Sequence, residues 1–338
     1  VFELQDEWFK STWSVAPLES PAERRRLWFN AESPEQSYGL VANRPRSPVR
    51  VDGDPAEWGR GLVVASAEDG RTGDGWSDLR DLSVASDAGY VYLLVRTGGG
   101  SGPPDWSRVA YRIAIDTYDA RRGERSLPPP GPATTPTGVE FLVEIGGPGR
   151  SAVTVSEPYE PFRRRDAGPV ASPLEPSGRF APLLLETNRE RFGRDGTRFP
   201  PVRANPGELR FGSLDPGARD FDTRADVAVG VEAGAIEIRI PWGLLSVGDP
   251  SSRRVVHQEE KREPPFGTVE TEGFRMYAFV LDPSRAAAPA RGLLPVGRAA
   301  RPWVWEAWER PEWTREIKLG AGAVRKAMAE VQTGGTTE

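Results

Sequence analysis

The chain has 338 residues, with 44 basic against 49 acidic side chains and a formal net charge of −5. It contains no Cys, which excludes disulfides, thiolate metal sites and cysteine nucleophiles. No basic tract exceeds three residues and no apolar run approaches the ~20 needed to span a bilayer, so nucleic acid, anionic membrane and a membrane span are all disfavoured as partners.

Residues 1–48 mix Trp8, Phe9, Trp13, Trp28 and Phe29 with charges, and Ser20-Pro21-Ala22-Glu23 has the form of a capped helix start. From Val49 the texture changes to short β-rich runs separated by Gly, Pro and Asp. The runs are 61–65, 81–85, 90–96, 109–116, 138–145, 151–155, 225–231, 235–240 and 273–281. In Tyr90 to Val95 and Ala235 to Ile240 apolar side chains recur at every second position, the period of a strand half-buried against a core. No helical crossovers separate these runs, so an all-β, antiparallel, jelly-roll-like β-sandwich is expected over 49–300. Long insertions are expected at 127–137 and 157–212; the second is too long for an idle loop and is expected to line a site. After 300, Trp303, Trp305, Trp308 and Trp313 lead into a short helical pattern over Arg315 to Gln332, so 301–338 is read as a segment packing on the sandwich. Short helical segments are thus expected at both termini.

In Val51-Asp52-Gly53-Asp54-Pro55-Ala56-Glu57-Trp58, Asp-Gly suits a tight turn and Asp54 suits the N-cap of a helical turn with Pro55 first and Glu57 at N3. An alternative uses Asp52, Asp54 and Glu57, with Asp116, as hard oxygen ligands for Ca²⁺, which takes 6–8 oxygens. Asp116 and Asp119, at the end of a strand, suit metal ligation, hydrogen bonds to hydroxyls, or an ordinary turn.

VDGDPAEW, SDAGYVYLLVRT, RIAIDTYDA and AIEIRIPWGLL, in that order, resemble the successive signatures of family 9 carbohydrate-binding modules and related DOMON-like sandwiches. The resemblance spans about residues 49–285. It implies a sandwich, structural calcium and a glycan held between aromatic rings, as expected of an exported or cell-surface bacterial protein. A flat indole suits the apolar face of a pyranose. Trp76 and Trp106, in Gly/Asp/Pro-rich loops, are expected to project toward ligand, with Trp242, Tyr118 and Asp119 beside them and Tyr159 behind; Trp58 reads as core.

The opening VFELQDEWFKSTW resembles the closing strand of a glycosidase-like barrel, so an upstream barrel domain is a further expected partner. That reading makes the chain a docking domain whose aromatic ends, 8–29 and 303–313, meet the barrel. Catalysis is not expected. The single His, His257, lies in a charged stretch without a G-x-S-x-G motif, and with Met276 it makes a poor haem pair. A glycoside hydrolase remains the enzymatic alternative, since two carboxylates suffice for that chemistry.

Overall fold

A computed structural model describes residues 49–67, 73–160, 176–188, 190–258 and 266–308. The strands, in chain order, are β1 (Val63–Ser66), β2 (Leu79–Ser86), β3 (Tyr90–Thr97), β4 (Ala110–Asp116), β5 (Glu124–Leu127), β6 (Ala133–Val139), β7 (Phe141–Ile145) and β8 (Ala152–Ser156). Next come β9 (Phe180–Pro182), β10 (Leu185–Asn188), β11 (Arg191–Phe192), β12 (Arg198–Phe199), β13 (Val202–Ala204), β14 (Val227–Gly230) and β15 (Ala235–Pro241). The last are β16 (Val247–Asp249), β17 (Arg254–Gln258), β18 (Phe266–Glu270), β19 (Arg275–Leu281) and β20 (Arg291–Leu294). Among the described residues the helical elements are short 3-10 turns, so the protein is all-β.

Two antiparallel sheets carry the fold, one ordered β1-β2-β3-β15-β14 and the other β20-β19-β4-β7-β8-β9. Alternation decides which side chains each sheet contributes. Leu82 and Val84, Val91, Leu93 and Val95, and Ile236, Ile238 and Ile240 come from the first sheet. They share one core with Ile113 and Ile115, Phe141, Val143 and Ile145, and Met276, Ala278 and Val280 of the second. Period-2 side chains from both sheets meeting in one cluster make a two-layer antiparallel arrangement. Each fully buried Leu, Ile or Val contributes roughly 1.5–3 kcal/mol.

The outer faces are covered as well, which explains why β4 is buried along its whole length instead of alternating. On the five-stranded sheet, Val49, Val51 and Trp58 pack on Ala85, Tyr92 and Leu94. On the six-stranded sheet, the β5–β6 hairpin lays Leu127 and Val139 over Ala114, Leu142 and Tyr277. The Pro-rich stretch 127–137 is therefore largely this hairpin and its turn. Its buried Arg112 anchor donates to Glu144 Oε1 (2.5 Å) on the facing strand and to the carbonyl of Pro128 (2.8 Å) in the hairpin turn.

Within 157–212, β9 extends the six-stranded sheet, and β10–β13 with β11–β12 form a hairpin arm that exposes Leu185, Phe192, Phe199 and Val202. The helical expectations at Ser20 to Glu23 and over Arg315 to Gln332, and Trp313, lie outside the described residues, as do residues 1–48 with their barrel-like opening. No helix among the described residues is long and apolar enough to cross a membrane.

Candidate functional site

The VDGDPAEW segment forms the capped turn that its residues predict. Asp54 accepts from the Ala56 N–H ahead of a Pro55–Glu57 3-10 turn, Asp52 accepts from the Asp54 N–H and from Arg50, and Glu57 accepts from the Arg50 N–H. The three carboxylates thus serve turn geometry and one guanidinium. Asp116 lies elsewhere, fully buried at the end of β4. Among the described residues no group of three or more His, Asp or Glu is arranged to hold a metal ion.

What anchors the turn is Glu237 of β15, on the outer face of the five-stranded sheet. Its fully buried carboxylate accepts from the Asp52 N–H (3.0 Å), the Gly53 N–H (2.7 Å) and the Trp58 indole N–H (2.6 Å). Gly53, at φ +89°, holds a backbone conformation that side chains rarely adopt, and a Cβ there would crowd the Val229 carbonyl oxygen at 3.2 Å. Two of the sequence motifs therefore meet in one structural lock.

The expectation that Trp76 projects from its loop is corrected, whereas Trp106 keeps part of its surface exposed. Trp76 is 8% exposed, sits in the main core and donates its indole N–H to the Gly102 carbonyl (2.8 Å). Trp106 is half-buried, edge-on to Tyr111 and Phe211, and Gly147 must lack a side chain to make room for it. A Gly-rich loop can lie flat on a core because it lacks the side chains that would hold it off, and that is how burial was arranged here. Trp242 is 3% exposed; it donates to the Asp87 carbonyl and packs 4.6 Å from Trp305 beside Phe274 and Trp303. Trp303, Trp305 and Trp308 pack against this same core. Met276 is likewise a core residue. Asp119 is a turn residue that holds Arg121 through both carboxylate oxygens (3.1 Å each), and that pairing keeps its carboxyl below the usual range.

A different cluster forms where the β5–β6 hairpin leaves the six-stranded sheet. Asp116 pairs with Arg275 across β4–β19, and one step beyond the Ile115–Phe141 pair it faces Glu140, the single residue between β6 and β7. Ser156 of β8 continues this row, donating its N–H to the Glu140 carbonyl (2.7 Å). Residues opposite one another share a face, so a polar row, Arg275, Asp116, Glu140, Ser156, crosses the sheet end. The hairpin base adds Glu124, paired with Val139. Gly123 comes so close that a Cβ there would stand 2.8 Å from Glu140 Oε1.

These groups enclose a small pocket lined by Gly123, Glu124, Glu140, Ser156, Pro158, Tyr159, Pro176 and Gln258. Glu124 is saturated: it accepts from Ser156, from the N–H and hydroxyl of Ser177, and from the Gly178 N–H. Glu140 is not. Its Oε2 accepts from Thr117 N–H (2.8 Å) and hydroxyl, whereas its Oε1 is buried with no hydrogen-bond partner. Burial first, and then the neighbouring Asp116 carboxylate, push the Glu140 carboxyl well above the usual range. Burial lifts Asp116 to about 6 against the pull of Arg275. Tyr159 stacks on Tyr118 at 5.9 Å, with His257 edge-on to Tyr118 at 6.1 Å, so an aromatic wall adjoins the acidic floor.

Of the residues singled out from sequence, Tyr118, Tyr159 and Asp116 belong to this cluster, and the 157–212 insertion supplies Pro158, Tyr159 and Pro176 to its lining. Glu124 and Glu140 were missed, because two among 49 acidic residues carry no spacing that marks them. The available signal was weak: each sits beside a glycine or an apolar run at the edge of a strand.

No protein-family model matches this chain, and no curated protein matches it.

Proposed function

We propose that this chain is a non-catalytic saccharide-binding domain of an exported or cell-surface bacterial protein, similar in kind to family 9 carbohydrate-binding modules, with its contact site at the Glu124–Glu140 pocket. The observation that carries this reading is Glu140 Oε1. A buried carboxylate oxygen without a partner costs of order 1–3 kcal/mol or more, and a donor brought by a ligand removes that cost. Hydroxyl-rich ligands supply such donors, and Tyr118, half-buried on the core residue Tyr159, stands beside the pocket. The two-layer antiparallel frame and the ordered motifs support the same reading.

Binding is favoured over hydrolysis because a glycosidase needs two carboxyl groups at liberty to act on the same bond. Here Glu124 is committed to Ser156, Ser177 and Gly178. The docking reading is weakened for the C-terminal aromatic end, since Trp303, Trp305 and Trp308 are used by the domain's own core. Calorimetric titration with mono-, oligo- and polysaccharides tests the proposal. Saturable binding with a one-site stoichiometry is expected, and no heat with any glycan at millimolar concentration would overturn it.

A further inference from the structure

The pocket has room for about one water-sized group, so whatever part of a ligand enters it is a single small terminal group. Its chemistry is set by charge. Asp116, Glu124 and Glu140 bring three carboxylates to the hairpin base, and among the described residues the cation beside them, Arg275, is paired with Asp116 (3.4 Å) and Glu272 (3.3 Å). The Arg122 guanidinium lies outside the pocket lining and contacts Asp119 (3.7 Å).

Consider what Glu140 Oε1 accepts in that setting. If the carboxyl is neutral, with its proton on Oε2 toward the Thr117 hydroxyl, Oε1 is a carbonyl oxygen that still lacks a donor. If it is ionised, a neutral hydroxyl gives it one bond but leaves the buried charge uncompensated, beside Asp116. A cation carrying N–H donors supplies both a bond and the opposite charge, and a charge-assisted bond of this kind is about twice as strong as a neutral one.

We infer that the pocket takes a primary ammonium group, donated to Glu140 Oε1 and, on the saccharide reading above, carried by an amino sugar. An ammonium is water-sized and fits; the bulkier N-acetyl group does not, and it is neutral.

The test titrates the protein, below the amine's own pKa, with four probes: a glucosamine oligomer, the N-acetylglucosamine oligomer of the same length, a neutral glucose oligomer, and free lysine. The glucosamine oligomer is expected to bind at least roughly tenfold more tightly than its N-acetylated and neutral counterparts. Glu140→Gln, shown folded by an unchanged near-UV circular dichroism spectrum, is expected to abolish that preference. If the variant does not fold, the comparison of the amine with its N-acetylated form on the native protein still decides. Equal affinity for all three oligomers overturns the ammonium inference and leaves the saccharide reading standing. Binding of lysine with no saccharide bound keeps the ammonium pocket and overturns its assignment to an amino sugar. No binding of any probe overturns the ammonium inference, the pocket then holding water only, and the saccharide reading stands or falls with the wider glycan panel.

Discussion

Glu237 and Arg112 show how single buried polar side chains tie the outer layers to the sheets. Glu237→Ala would leave the Asp52, Gly53 and Trp58 N–H groups without their acceptor. At about 1–3 kcal/mol for each stranded donor, a loss of at least about 3 kcal/mol is expected in urea denaturation. Arg112 is 1% exposed and paired with Glu144. Arg112→Ala leaves the partly exposed Glu144 to solvent but strands the Pro128 carbonyl and releases the hairpin turn, so an unfolding free energy lower by about 1.5–3 kcal/mol is predicted. An effect under about 1 kcal/mol would mean that the hairpin is held by its apolar contacts alone.

The same burial makes stability depend on pH in a defined direction. It raises Glu237 to about 7, outweighing the three N–H donors, and Asp116 to about 6. Both values lie above the unfolded ones near ~4, so the folded state binds these protons more tightly. Their contribution is therefore full below about pH 4 and is lost as pH rises through 6 and 7. A urea midpoint that falls between about pH 5 and pH 8 is expected, with a smaller fall in Glu237→Gln; a midpoint that rises over this range would contradict the assignment.

At the scale of elements, the strands legible in the sequence were those whose alternation or apolar run is unbroken, such as β3, β4, β15 and β19. Their expected bounds lie within two residues of the observed ones. The β5–β6 hairpin was hidden because Pro128 to Pro132 reads as a breaker cluster, while the hairpin needs those residues only in its turn. Strands β16, β17 and β18 were hidden because Arg253, Arg254, His257 and Glu270 give them a solvated texture.

The loops misled for the opposite reason. Composition around Trp76 reads as exposed turn, but tertiary packing draws the indole into the core. Trp76→Ala is accordingly predicted to cost about 3–5 kcal/mol of stability while leaving ligand affinity unchanged once the protein is folded. A large loss of affinity without loss of stability would restore it as a ligand contact. In the VDGDPAEW turn, the carboxylates already have hydrogen-bond partners, so millimolar Ca²⁺ is expected to leave the thermal midpoint unchanged. An upward shift of several degrees would place an ion there.

For the whole molecule, the two-layer antiparallel frame was readable from periodicity, since each sheet buries one side of its strands against the other. The position of the site was not readable, because it depends on register. Asp116, Glu140 and Ser156 are neighbours only because three strands pair as they do, and Glu124 joins them only because a hairpin folds back over the sheet end. The VDGDPAEW and AIEIRIPW segments lock to one another through Glu237, at a place distinct from the pocket.

The most direct test of this account is a crystal structure of the protein with its tightest-binding saccharide. A ligand nitrogen or oxygen is expected within hydrogen-bond distance of Glu140 Oε1, with the sugar beside the partly exposed Tyr118. A saccharide stacked instead on Trp106 or another indole, with Oε1 still unpartnered, would contradict it.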